Sequence, residues 1–259
     1  MPLRFEQRGA VAVLTMDRLE VHNAIDPEVH RDLVNAWERV RDDDGIRVAV
    51  LTGAGERAFS AGVDLRRMEE LYAAVPPNRR REVWNRRPGI GGLTRNFDVG
   101  KPVIAAIRGY CFGGGLELAL ACDLRIATPD ATFALPELAW AIIPGQGGTQ
   151  RLPRAIPPNL ALEMILTGEP MPAARAFEIG LVNRIVPADR LLEEAIALAE
   201  KIASRSPAAV RAAREAVLRG LELPLGEGLR MEQDLADPLR GSEENRAAVQ
   251  EFARKRSKR

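Results

Sequence analysis

The sequence predicts an α/β fold, with strands alternating with helices in the first part of the chain and a helical C-terminal region. Two observations carry this. Short apolar runs alternate with amphipathic stretches through the first half. Such alternation argues for βαβ units and parallel strands. From about Pro157 onward, the segments read as helices.

Taken in order, "VAVLTM" (Val11 to Met16), "VAVLTG" (Val48 to Gly53), "PVIAAI" (Pro102 to Ile107) and "DLRIAT" (Asp123 to Thr128) read as strands. Between the first two, "DPEVHRDLVNAWERVRDD" reads as a helix. Asp26 is its N-cap, Pro27 suits its first turn, and Val29, Leu33, Trp37 and Val40 form its apolar face. The segment from Ala73 to Gly92 mixes Pro, Arg and Gly without a period, and is expected to be a mobile or variable surface insertion. The later segments "PPNLALEMILTG", "PAARAFEIG", "ADRLLEEAIALAEKIASRS", "PAAVRAAREAVLRGLE", "LGEGLRMEQDLAD" and "SEENRAAVQEFARKR" read as helices. Lys258 and Arg259, at the end of the tail, are expected to be solvated and frayed.

Composition bounds the function. A 259-residue chain that is 46% hydrophobic can build a substantial core, and its formal net charge of +1 argues against a dedicated nucleic-acid binder. Cys111 and Cys122 lie in apolar surroundings, which suits a reduced compartment without a disulfide framework. The two histidines, His22 and His30, are too few for a His-rich metal site and offer Ser60 no obvious base. Charges precede the short apolar run at the N-terminus, so no signal peptide is expected, and no apolar run reaches membrane length. The expected location is the cytoplasm.

Three segments carry candidate chemistry. In "GYCFGGGLELALACD", a strand leads through Gly113, Gly114 and Gly115 into a helix. Glycines let backbone N–H groups approach a ligand, and the first N–H groups of a helix lack internal partners. The alternative use of the triplet is close helix–strand packing. Glu117 lies one turn into that helix among Leu116, Leu118 and Ala119, where burial would raise its pKa and suit it to proton transfer. Its alternative is a solvent-facing position. "RAFSAGVDL" repeats the pattern of strand, small residues and helix start, with Asp64 opening the helix. In "ATFALPELAWAIIPGQGGTQRLPR", Pro136 holds Leu135 extended and Glu137 follows among apolar residues. The alternative for Glu137 is to satisfy a helix dipole in a first turn.

Together with "HNAID", "KPVIAAIRGYCFGGGLELALACDLRIA" and "TGEPMPAARAFEIGLVNRIV", these segments resemble the enoyl-CoA hydratase/isomerase family, the crotonase superfamily, in order and spacing over nearly the whole chain. The resemblance implies a crotonase (ClpP-like) spiral of ββα units over residues 1–195 holding a CoA-thioester site. It also implies a helical trimerisation region over 196–259, with trimers or hexamers. The amides of Val63 and Gly114 would form an oxyanion hole. Glu117 and Glu137, twenty residues apart, match the paired acids of hydratases, and Gly145 matches a water-positioning backbone site. Val21, Ala24, Ser60, Ala61, Gly62, Val63, Asp64, Leu65, Tyr110, Gly113, Gly114, Pro136, Trp140 and Lys255 match CoA- or substrate-binding positions. Lys255 corresponds to a lysine that reaches a neighbouring subunit's CoA.

The implied activity is hydration of a 2-enoyl-CoA, without metal and without a cofactor beyond the CoA of the substrate. An isomerase, a carnitinyl-CoA dehydratase-like enzyme and a non-catalytic acyl-CoA or RNA binder are the alternatives. Asn245 departs from the family pattern before the last helix turn.

Overall fold

A computed structural model describes residues 1–67 and 73–256. Lys258 and Arg259 lie outside the described residues. Among the described residues, ten strands form two sheets: β1 (Leu3–Arg8), β2 (Val11–Met16), β3 (Val48–Gly53), β4 (Ala58–Ser60), β5 (Val103–Ile107), β6 (Tyr110–Phe112), β7 (Leu124–Ala127), β8 (Thr132–Ala134), β9 (Met171–Pro172) and β10 (Arg184–Ile185). The large sheet runs β1-β2-β3-β5-β7-β10 and the small one β4-β6-β8-β9. Apart from the β1–β2 hairpin, the pairs of the large sheet are parallel; β4, β6 and β8 are also parallel to one another. From β3 to β8 the chain alternates between the sheets, and each such turn of the winding delivers one strand to each sheet.

The middle of the large sheet is covered on both faces, which is why its strands β2, β3 and β5 are nearly all apolar. One face carries Val11, Val13, Val48, Val50, Ile104, Ala106 and Ile126. These pack on the Leu191–Ala203 helix, whose Leu191, Ala195, Ala199 and Ala203 recur every four residues and bring the helix close. The other face contributes Ala12, Leu14, Met16, Ala49, Leu51, Ala105 and Ile107 to the main core. The Pro27–Asp42 helix seals that core as the sequence predicts. Asp26 accepts from the amides of Glu28 and Val29, and Val29, Leu33, Trp37 and Val40 are buried.

One expectation changes. The 73–92 segment is not uniformly a surface insertion. An exposed helix, Pro77–Arg86, is followed by the buried turn Ile90–Gly92. Gly91 and Gly92 have φ of 64° and 82°, and a Cβ on either would stand 2.8 Å from Leu118 or 2.7 Å from Trp37. Backbone takes the place of a side chain here, and an apolar period has no trace of it. The indole Nε1 of Trp37 donates to the Gly91 carbonyl at 2.7 Å and fixes the turn. Residue 195, at the expected division, lies within the Leu191–Ala203 helix. The peripheral helices begin later: Pro207–Gly220, Leu225–Ala236 and Glu243–Arg256 contain no buried residue. The first of them is tied to the core by Arg214, whose guanidinium meets Asp123 at 2.9 Å. No helix among the described residues is long and apolar enough to cross a membrane.

Candidate active site

Because β4, β6 and β8 are parallel and adjacent, their C-terminal ends emerge at one rim. The connections that leave them carry residues 61–65, 113–117 and 136–140. These connections meet in a cleft of about 190 Å³, lined by Ala61, Val63, Leu65, Gly113, Gly114, Glu117, Pro136, Glu137, Trp140, Ile142, Ile143, Gly145 and Gln146.

The first connection is held by a polar clasp. Ile25 N donates to Gly62 O at 2.7 Å, Asp64 N to Ile25 O at 3.0 Å and Ala61 N to His22 O at 2.9 Å. Arg18 completes it, meeting Asp64 at 3.2 Å and the Ala24 carbonyl at 2.8 Å. This pairing uses the amides of Ile25 and Asp64 and leaves that of Val63 without an acceptor among the described residues. Gly114 opens the Gly114–Ala121 helix, so its amide precedes the helical ladder. The two loops touch: a Cβ on Gly62 would lie 3.0 Å from Gly114 N, and one on Gly114 would lie 3.4 Å from Val63 N. Glycine is what permits this approach.

Glu117 is 2% exposed. Its Oε1 accepts from the amides of Gln146 at 2.7 Å and Gly148 at 2.8 Å. Burial raises its pKa above the ordinary glutamate value; those two amides and the guanidinium groups of Arg151 and Arg95 act against the rise. Glu137 sits in the short 3₁₀ turn Pro136–Trp140. Its Oε2 is buried without a hydrogen-bond partner. Burial is the main force pushing its pKa up to about 7; the charge of Glu117 adds to the rise, and the Glu137 amide opposes it. Gly113 makes room for the carboxylate, since a Cβ there would lie 3.1 Å from Glu137 Oε1. One carboxylate is therefore fixed by main-chain donors, and the other keeps one buried oxygen without a partner and titrates near neutrality. That combination suits paired proton transfers.

Other sequence-predicted positions lie around the cleft. Ser60 is fully buried, and its hydroxyl donates to Asn23 O and accepts from Gly62 N, so its side chain is scaffold. Ala24 is buried and Val21 belongs to the adjoining Leu19–Val21 turn. Tyr110 packs beside Phe112 and His22, at ring distances of 5.1 and 6.0 Å, and does not line the cleft. Lys255 lies on the terminal helix, paired with Glu251. Sequence reasoning missed Gln146, whose amide, with that of Gly148, holds Glu117; the glycine-rich "PGQGG" turn was the available signal. It also missed Ile142 and Ile143, two exposed side chains that give the cleft an apolar wall.

The family model for enoyl-CoA hydratase/isomerase matches residues 6–259. The chain belongs to that family. It is 42% identical over 257 residues to (E)-benzylidenesuccinyl-CoA hydratase of Thauera aromatica, covering 99% of this chain and 98% of the relative. Carnitinyl-CoA dehydratase of Proteus mirabilis is 43% identical over 229 residues, 88% of this chain and 85% of the relative. Among solved structures, enoyl-CoA hydratase from Bacillus anthracis superposes with a TM-score of 0.87 at 37% identity, covering 98% of this chain and 97% of that one. Members of this crotonase family act on acyl-CoA thioesters.

Proposed function

We propose that this family member is an enoyl-CoA hydratase, adding water across the 2,3-double bond of a 2-enoyl-CoA thioester. One observation carries the proposal: two carboxylates in unlike environments face the same cleft as two main-chain amides that have no helical or strand partner. In this reading the thioester oxygen lies between the N–H groups of Val63 and Gly114. Charge builds on that oxygen as the enolate-like state forms, and each such donor is worth roughly 3–4 kcal/mol where one has been removed elsewhere.

Glu117, whose ionised form its two amide donors favour against the effect of burial, takes a proton from water as the water oxygen bonds to the β carbon. Glu137 holds a proton near neutrality and delivers it to the α carbon. The product carries hydroxyl on the β carbon and hydrogen on the α carbon; the proton left on Glu117 returns to Glu137 through solvent or a second water. The same steps reversed dehydrate a 3-hydroxyacyl-CoA. The loops of Val21, Ala24 and residues 60–65 would receive pantetheine and nucleotide by backbone contacts. Pro136 and Trp140 would flank the acyl chain, and Gly145 would help fix the water.

The peripheral helices support assembly into trimers or hexamers, with Lys255 offered to a neighbour's CoA. They expose Val217, Leu218, Leu225, Leu229, Val249 and Phe252, more apolar surface on three helices than scattered exposure accounts for. Activity is tested by incubating the protein with crotonyl-CoA and following loss of the conjugated thioester absorbance. Glu117→Gln and Glu137→Gln are each expected to lower kcat by about 100-fold or more. Undiminished turnover in both variants would overturn the assignment.

A further inference from the structure

A second cavity, of about 310 Å³, adjoins the glutamate cleft and shares Gly145 and Gln146 with it. Its chemistry differs from that of the cleft. Arg81 and Arg95 line it with His30, and among the described residues no aspartate or glutamate does. Arg87 acts electrostatically on His30 and lies 5.9 Å from the ring of Trp84, which forms another wall. Two of the nitrogens are buried and lack a partner in the structure: Nε of Arg95 and Nδ1 of His30. Arg95 makes one long contact, 3.4 Å, to Gln146 Oε1, which also accepts from Ile90 N. The nearby Glu82 is engaged by Arg79 and Arg86 instead.

Buried guanidinium nitrogen without an acceptor, in a pocket whose described lining holds no acid, is a poor arrangement unless an anion completes it. A substituent on the acyl group that extends past the glutamates along the Gly145–Gln146 wall enters this pocket. We propose that the acyl portion of the substrate carries a free carboxylate, received by Arg95 and Arg81 in this second cavity. The inference rests on the hydratase reading and narrows its substrate class. It also separates the two kinds of relative. A quaternary ammonium acyl group meets like charge here, whereas a carboxylated one meets its counter-ion.

The test uses binding and turnover separately. Saturated acyl-CoAs of matched length, one ending in methyl, one in carboxylate and one in trimethylammonium, are titrated into the full-length protein by calorimetry. The carboxylated ligand is expected to bind about tenfold or more tighter than the methyl one, as suits a charge-assisted contact. The preference is expected to shrink at high salt and to collapse towards unity in Arg95→Gln and in the surface variant Arg81→Gln. Equal affinity of the methyl and carboxylated ligands, or tighter binding of the ammonium ligand, overturns the proposal. The matching 2-enoyl-CoAs are then assayed for hydration. Selective binding without turnover leaves the anion pocket standing and removes the hydratase reading; turnover without selectivity does the reverse.

Discussion

Glu137 is the residue at which the site is most sensitive to its surroundings. Its proton is held to about pH 7 because burial disfavours the charged form. Hydration needs that proton, so kcat is expected to fall as pH rises through about 7. The limb should vanish in the residual activity of Glu137→Gln. Stability follows the same ionisation. Between the ordinary glutamate pKa of 4.5 and the folded value of about 7, the folded chain holds a proton that the unfolded chain has lost. Its stability therefore drops as pH rises across that window. Urea midpoints of Glu137→Gln relative to the parent are expected to improve from about pH 5 to about pH 8; a constant difference would show that Glu137 is not raised. Gly148 offers a second residue-level test. A Cβ there would lie 2.7 Å from Pro144 and 3.1 Å from Glu117 Oε1. Gly148→Ala should displace an amide that holds Glu117, lowering kcat by about tenfold or more with a smaller change in KM, as steady-state kinetics would show.

At the scale of elements, the helix Pro27–Asp42 and the strands β2, β3, β5 and β7 of the large sheet were legible because burial marks them in the sequence, whereas its edge strands β1 and β10 were not. Val29, Leu33, Trp37 and Val40 fall on one helical face, and those four strands place apolar residues on both faces of the sheet. The three-residue strands Ala58–Ser60, Tyr110–Phe112 and Thr132–Ala134 are too short to show alternation, and they escaped detection although they set the rim of the site. Glu117, Glu137 and the glycine loops were readable from residue type and order. The donors of Glu117 were not, since a backbone amide carries no side-chain signature. The turn Ile90–Gly92 was invisible for the same reason: it enters the core as main chain. Its dependence on Trp37 can be measured. Trp37→Phe leaves the buried Gly91 carbonyl without its donor and is expected to cost roughly 1–3 kcal/mol. This would be read as a lower urea midpoint with an unchanged slope.

At the scale of the molecule, the chain divides between a doubly covered sheet and three helices that bury nothing of their own. Those helices are expected to find their apolar partners in other copies. Sedimentation equilibrium should return the mass of three or six chains, and Leu225→Asp should lower it; a parent mass of one chain would refute assembly. The parallel pairing of β4, β6 and β8 has a broader consequence. Successive windings each supply one component at a common edge, so the site is distributed over several independently variable ribbons. Editing the 86–95 ribbon alone can remould how an incoming acyl group is received while the stretches that stabilise charge stay in place. The architecture is thus suited to acquiring new substrates one ribbon at a time.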